Sequence, residues 1–308
     1  YDISKFILED QFIVQSIYRD FNHYILKLKT VDVASNPIYL DVFVAHLKAS
    51  SGIDNQNLRL EMVDDLVAYL ETLPSDRNVV FSGDLNFYTS SEPAFQELLD
   101  VTNNITFVDP ADRIGSWHSN INYLDVFTQS TRTQGGLGGA TGGFDDRFDF
   151  ILTSENMLTN TDLYYVADSY QVYGNNENSN CFNDEINSTN CDGSDFSFTI
   201  RDALYNMSDH LPVTLELQTT EELGVNDFVY NHGIEIVGSN VVNEQLQIRI
   251  INSDVSNLTI YNTLGQKVNY FKTNSEILIT LDVSKLTSGI YYITSSNKLI
   301  EPLKFVIQ

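Results

Sequence analysis

Residues 79–86, Val79-Val80-Phe81-Ser82-Gly83-Asp84-Leu85-Asn86, run a short apolar segment into a polar turn. The segment is β-branched and aromatic, which reads as a buried strand, and Gly-Asp-Leu-Asn is the kind of turn on which such a strand ends. Three other segments share this design. Residues 39–47 (YLDVFVAHL) read as a strand with His46 near its end, and residues 147–152 (RFDFIL) as a strand with Asp149 inside it. Asp209 and His210 immediately precede a further strand at 211–217 (LPVTLEL). If the four strands lie side by side, His46, Asp84, Asn86, Asp149, Asp209 and His210 converge on one rim of a sheet. Singly, each has an ordinary explanation: a structural histidine, a turn, an Asp149–Arg147 pair. Together, three carboxylates, an amide and two imidazoles are a costly set to desolvate without a role.

Helices separate these strands. Leu58, Met62, Val63, Leu66, Val67, Leu70 and Leu73 form one helical face, which Pro74 ends. Ser90 or Ser91 is positioned to cap a second helix with Pro93 in its first turn. The fold class is therefore α/β. Residues 135–143 (GGLGGATGG) lack the Gly-Lys-Ser/Thr ending of a nucleotide-binding loop and read as a mobile loop. Trp117-His118 is either an apolar loop tip or an ordinary partly buried tryptophan.

The 308 residues suit two domains. With 42% hydrophobic residues, 18 Phe and 17 Tyr, the chain can fill a core, which excludes a disordered or fibrous protein. The 42 acidic and 17 basic side chains give a formal charge of −25, so general attraction to polyanions is excluded and any phosphate chemistry needs a local site with a cation. No apolar run is long enough for a membrane span, and no stable membrane insertion is expected. The chain opens at Tyr1 without a basic-then-apolar leader, which reads as a processed product or as a fragment starting inside a domain. Cys181 and Cys191 share a polar loop and suggest a disulfide and an oxidising compartment, the alternative being two free thiols.

The acidic excess falls almost wholly before residue 218. The polar stretch Gln218-Thr219-Thr220-Glu221-Glu222 marks a boundary, giving a first domain at 1–217 that carries the six converging residues, a linker at 218–227 and a second domain at 228–308. The second domain shows five short strands, at 246–251, 258–261, 277–281, 290–293 and 303–307, about ten residues apart without helices, which indicates a small β-sandwich.

The order His46, Gly83-Asp84-Leu85-Asn86, Arg147-Phe148-Asp149-Phe150-Ile151, Ser208-Asp209-His210-Leu211-Pro212-Val213 resembles the endonuclease/exonuclease/phosphatase superfamily, whose familiar members include deoxyribonuclease I and the abasic-site endonucleases. The resemblance covers most of residues 1–217. It implies a four-layer α/β sandwich and hydrolysis of phosphate esters with Mg²⁺, or with Mn²⁺ or Ca²⁺ as alternatives. By this resemblance Asp209 helps hold the cation. Asp84 orients and deprotonates the attacking water, with Asn86 beside it. His210, held in its tautomer by Asp149, donates to a phosphate oxygen, and His46 and Arg19 contact the phosphate. The Asn and Gln-Glu segments with which the superfamily begins are not in this sequence, so the expectation is a domain lacking its N-terminal part and weakly active alone.

Residues 258–268 (LTIYNTLGQKV) and 281–291 (LDVSKLTSGIY) are similar to the C-terminal sorting domain of bacterial type IX secretion cargo, with Val237-Gly238-Ser239-Asn240 where a Pro-Asn-Pro motif is usual. This implies the type IX machinery as a partner and a secreted or cell-surface destination. The combined expectation is a monomeric secreted nuclease acting on extracellular nucleic acid. The alternatives are a phosphatase or sphingomyelinase-type phospholipid hydrolase on the same fold, and a non-catalytic binding or adhesion protein.

Overall fold

The structure, a computed structural model, describes residues 1–224, 233–251, 255, 257–273, 277–295 and 302–308. The chain forms two units, Tyr1–Gly224 and Val225–Gln308. In the first, apolar residues alternating every second position build strands whose two faces meet different layers. The elements are β1 (Phe6–Val14), β2 (Phe21–Leu28), β3 (Tyr39–His46), α1 (Ile53–Leu70), β4 (Asn78–Asp84), α2 (Pro93–Leu98), β5 (Phe107–Val108), β6 (Asp149–Ser154), β7 (Tyr164–Tyr165), β8 (Gln171–Val172), α3 (Phe198–Met207), β9 (Val213–Thr214) and β10 (Leu217–Gln218). Six strands form one mixed sheet in the order β1-β2-β3-β4-β6-β5, in which only the β3–β4 pair is parallel.

Phe43, Val79, Phe81, Phe150 and Leu152 point from this sheet into a core with Met62, Val63, Leu66 and Leu70 of α1 and Phe95 and Leu98 of α2. Leu40 and Val80 point the other way and pack with Met157 and Leu163 against partly buried Leu217. The unit is thus a mixed, strand-rich α/β fold with several sheets and few helices. Among the described residues, the second β layer consists of two-stranded ribbons, β7–β10 and β8–β9.

Local details depart from the sequence reading for identifiable reasons. Residues 211–217 are two short strands, because β9 pairs with β8 whereas β10 pairs with β7. The N-cap of α2 is Glu92, not Ser90 or Ser91, and its carboxylate accepts from Tyr88 N and buried Arg59. Residues 218–224, expected as linker, are tied to the first unit: Val31 N donates to Glu222 O (3.0 Å) and Gly224 N to Lys29 O (2.8 Å). The rest of the expected linker, 225–227, lies outside the described residues. The two cysteines form a disulfide, and both are buried in a small core with Ile186 and Leu204, so the polar loop that carries them is a packed one.

The second unit contains β11 (Ile234–Ile236), β12 (Val241–Val242), β13 (Gln245–Ile250), β14 (Asn257–Asn262), β15 (Lys267–Lys272), β16 (Leu278–Asp282), β17 (Gly289–Ser295) and β18 (Leu303–Ile307). They form sheets β11-β13-β16 and β12-β18-β17-β14-β15. Leu246, Ile248 and Leu281 of the first sheet share a core with Leu258, Ile260, Ile293 and Phe305 of the second, which makes a β-sandwich. Among the described residues, no helix is long and apolar enough to cross a membrane.

Arg147 is fully buried and pairs bidentately with Asp109 (2.7 Å to each carboxylate oxygen), with its guanidinium 4.2 Å from the Phe150 ring centroid. Asp149 is therefore not its partner. Trp117 is also fully buried, against Phe95 and Phe150, so it is not an apolar loop tip. Removing one member of a buried pair strands the other charge, which costs about 3–5 kcal/mol. Arg147→Ala should lower the unfolding free energy by that amount in urea titrations followed by circular dichroism.

Candidate active site

Strand register assembles half of the site. In the parallel β3–β4 pair His46 lies opposite Asp84, and in the antiparallel β4–β6 pair Asp84 lies opposite Asp149. Residues opposite one another share a face, so the three side chains stand in a row on the face turned away from α1. His46 Nε2 is 3.4 Å from Asp84 Oδ2.

The turn after β4 explains its own residues. Gly83 has φ +140°, and a Cβ there would meet Ala45 O at 1.9 Å, so only glycine lets β4 lie against β3. Asn86 adopts φ +54°, a conformation that Asn tolerates well. Its N–H donates to Asp84 Oδ1 (3.2 Å) and its side-chain amide to Leu47 O (3.4 Å).

The remaining groups arrive on the segment after α3. His210 Nδ1 donates to Asp149 Oδ2 at 2.6 Å, and its Nε2 lies 4.0 Å from Asp84 Oδ2 and 3.8 Å from Asp209 Oδ2. Asp84, Asp149, Asp209, His46 and His210 thus gather on one rim, with Asn86 behind Asp84. Arg19 reaches the same end of the sheet, where its Nη1 donates to His46 O (3.2 Å) and Leu47 O (3.1 Å). In this arrangement it braces the end of β3.

Three features are not legible in the sequence. The Gln129 side-chain amide group sits against His210 Nε2. Thr128 Oγ1 accepts from Asp149 N (3.2 Å). His118, Asp145 and Asp146 form another acid–imidazole group whose donor atoms lie within 4.8 Å of one another, with His118 Nδ1 2.6 Å from Asp146 Oδ1. Thr128, Gln129 and Asp145-Asp146 stand in no periodic or spaced motif, and only the Trp117-His118 pair is conspicuous.

The electrostatics are those of a crowded acidic pocket. Burial, then the Asp149 charge, pushes the Asp84 carboxyl up to about 6 against the opposing pull of His210 and Asn86. Burial alone would lower His210, but the Asp149 hydrogen bond and the charges of Asp149, Asp84 and Asp209 outweigh it and raise the imidazole. Burial, Arg19 and His210 lower His46, which favours its neutral form.

A carboxyl whose folded pKa of about 6 exceeds its ordinary value of 3.8 binds its proton more tightly in the folded chain. Stability therefore falls as pH rises from about 4 through about 6 and stays reduced above that. Asp84→Asn should raise the unfolding free energy at pH 8 by on the order of 1–3 kcal/mol, and the gain should shrink toward pH 4. Thermal unfolding in chelator across that range checks the sign.

Comparisons with known proteins bear on both units. The profile for the Secretion system C-terminal sorting domain matches residues 240–308. No curated protein matches the chain. Among solved structures, the human Nocturnin catalytic domain with bound sulfate is 14% identical, with 71% of this chain and 62% of that one covered and a TM-score of 0.39. The chain thus spans less than two thirds of that domain's length. The TDP2 of D. rerio, complexed with a single-strand DNA product, is 14% identical over 70% of each chain, TM-score 0.40. An endonuclease/exonuclease/phosphatase family protein from Bacteroides thetaiotaomicron is 12% identical over 70% of this chain and 65% of that one, TM-score 0.38. Likenesses this distant carry no functional weight. The C-terminal unit is a type IX sorting domain, and it marks the protein for secretion or attachment to the cell surface.

Proposed function

We propose that the first unit is a divalent-cation-dependent phosphoesterase, and that its substrate is extracellular nucleic acid. The observation that carries this reading is the His210–Asp149 pair facing Asp84 on a shared rim. A phosphodiester is anionic and repels nucleophiles, so hydrolysis needs a base for water, a proton donor for oxygen and neutralisation of charge. Asp84, near 6, is ionised at neutral pH yet basic enough to take a proton from water. His210, raised and oriented by Asp149, presents Nε2 to the same space and can donate to a phosphate oxygen. His46 closes the opposite side, 3.4 Å from Asp84.

The donor set fits a hard cation. Asp209, Asp84 and the Asn86 amide offer oxygen ligands, and Mg²⁺ needs only one or two carboxylates because it keeps several waters. Asp209 would hold it, and bound there the ion would offset the phosphate's negative charge. Mn²⁺ and Ca²⁺ accept the same ligand type. The global charge of −25 makes such local neutralisation necessary for a polyanionic substrate.

A secreted protein meets nucleic acid outside the cell, which favours that substrate. Trp117, the aromatic that the sequence offered for an apolar loop tip of the kind a phospholipid hydrolase would want, is buried. The full-length gene product should degrade plasmid DNA or RNA with Mg²⁺ and cease in chelator, while leaving sphingomyelin intact. His210→Ala should lower turnover by roughly 10²-fold or more. Near-wild-type turnover in that variant removes His210 from the chemistry, and hydrolysis of sphingomyelin alone replaces the substrate.

A further inference from the structure

Residues 135–143, a mobile loop by their composition, are tied to the site. Ala140 N donates to Asp209 Oδ2 at 2.6 Å. The tie is reinforced on both sides. Buried Arg132 donates to Gly138 O (2.9 Å) and Tyr205 O (2.8 Å), and Ser130 Oγ donates to Ala140 O (2.9 Å). Thr131 N donates to Asp209 O (3.1 Å), and Thr131 Oγ1 to Ser208 O (2.6 Å). The backbone and the carboxylate of Asp209 are thus both held by residues 131–140.

Two adjacent glycines separate conformational need from contact. Gly138 and Gly139 have nearly equal φ, +79° and +78°, so both stand in the left-handed region that a side chain adopts only at a cost. At Gly138 a Cβ would find nothing within 4 Å. At Gly139 it would lie 2.4 Å from Asp209 Cγ and 2.6 Å from each carboxylate oxygen. The glycine at 139 is therefore required by the carboxylate in front of it as well as by the turn.

We propose that the Gly139-Ala140 segment is a positioning element that seats the Asp209 carboxylate beside His210. The inference rests on the phosphoesterase reading of Asp209 and adds this loop to it. A hydrogen bond from a backbone amide fixes the direction of a carboxylate. Loss of the seat changes what Asp209 can hold without altering the other groups.

The experiment compares Gly139→Ala, Gly138→Ala and Asp209→Ala in the full-length gene product. Amide hydrogen exchange at Ala140 reads the contact directly, without metal or substrate. It should quicken at least tenfold in Gly139→Ala and Asp209→Ala and stay within threefold of wild type in Gly138→Ala. Turnover of bis-p-nitrophenyl phosphate with Mn²⁺ should follow the same pattern. Gly139→Ala should add no further loss in an Asp209→Ala background, whereas mere unfolding of the loop would add one. An unprotected Ala140 amide in the wild type, or equal exchange and turnover in the two glycine variants, overturns the inference. Normal turnover in Asp209→Ala sinks the reading of the site itself, whereas loss there with equal glycine variants sinks the inference alone.

Discussion

The close approach of β3 and β4 at Gly83 is the constraint on which the candidate site depends. Ala45 O occupies the space where any side chain at position 83 would stand. That contact fixes the parallel register, and the register fixes which residues are neighbours. A slip by one position would turn Asp84 to the helix-packed face, among Phe81 and Phe150. With the register held, His46, Asp84 and Asp149 line up across three strands and await only the segment carrying His210. The glycine beside the acid thus acts through the sheet, and it needs no contact with a substrate to matter.

The rim gathers more negative charge than folding alone would favour. Asp84 stands between Asp149 and His46 across the strands, and burial together with the Asp149 charge raises its pKa, the mark of what it costs to hold it ionised. Such tension is common where a fold spends stability on reactivity. It also gives the pocket a use for a cation, because a divalent ion would relieve the same repulsion that burial creates. The overall charge of the chain offers no help in attracting a phosphate, so the balance must be set within this pocket.

Much of the arrangement was legible because it is built from runs. The apolar segments at 79–81 and 39–47 have the β-branched and aromatic content that identifies buried strands, and the polar residues at their ends mark the rim. The second unit's β-sandwich was legible for the same reason, in several short strands at regular spacing, and its sorting role through the resemblance of residues 258–268 and 281–291. What escaped was built from pairs. β5 and β7 to β10 are two residues each, too short for any period, and their partners are set by tertiary packing. Gln129 reaches His210 across 81 positions of sequence, and Ala140 reaches Asp209 across 69, so nothing local announces either contact. Residues 222–224, within the expected linker, bond to residues 29–31, again a long-range fact.

Two histidine–aspartate pairs show why contact alone does not identify a site. His23 lies 2.7 Å from Asp41, and His210 lies 2.6 Å from Asp149. His23 and Asp41 are fully buried; the imidazole stacks on Phe43 and meets Tyr69 OH at 3.2 Å, while Arg77 closes on the other Asp41 oxygen. Every polar atom there is spoken for, as a buried structural pair requires. His210 and Asp149 keep about a fifth of their side-chain surface exposed, and the far nitrogen, beside the Gln129 side chain, also faces two further carboxylates. The two pairs have the same chemistry and nearly the same distance, but only the second is reached by solvent. Access, set by where β3, β4 and β6 end, separates a histidine that holds the fold from one that can act on a substrate.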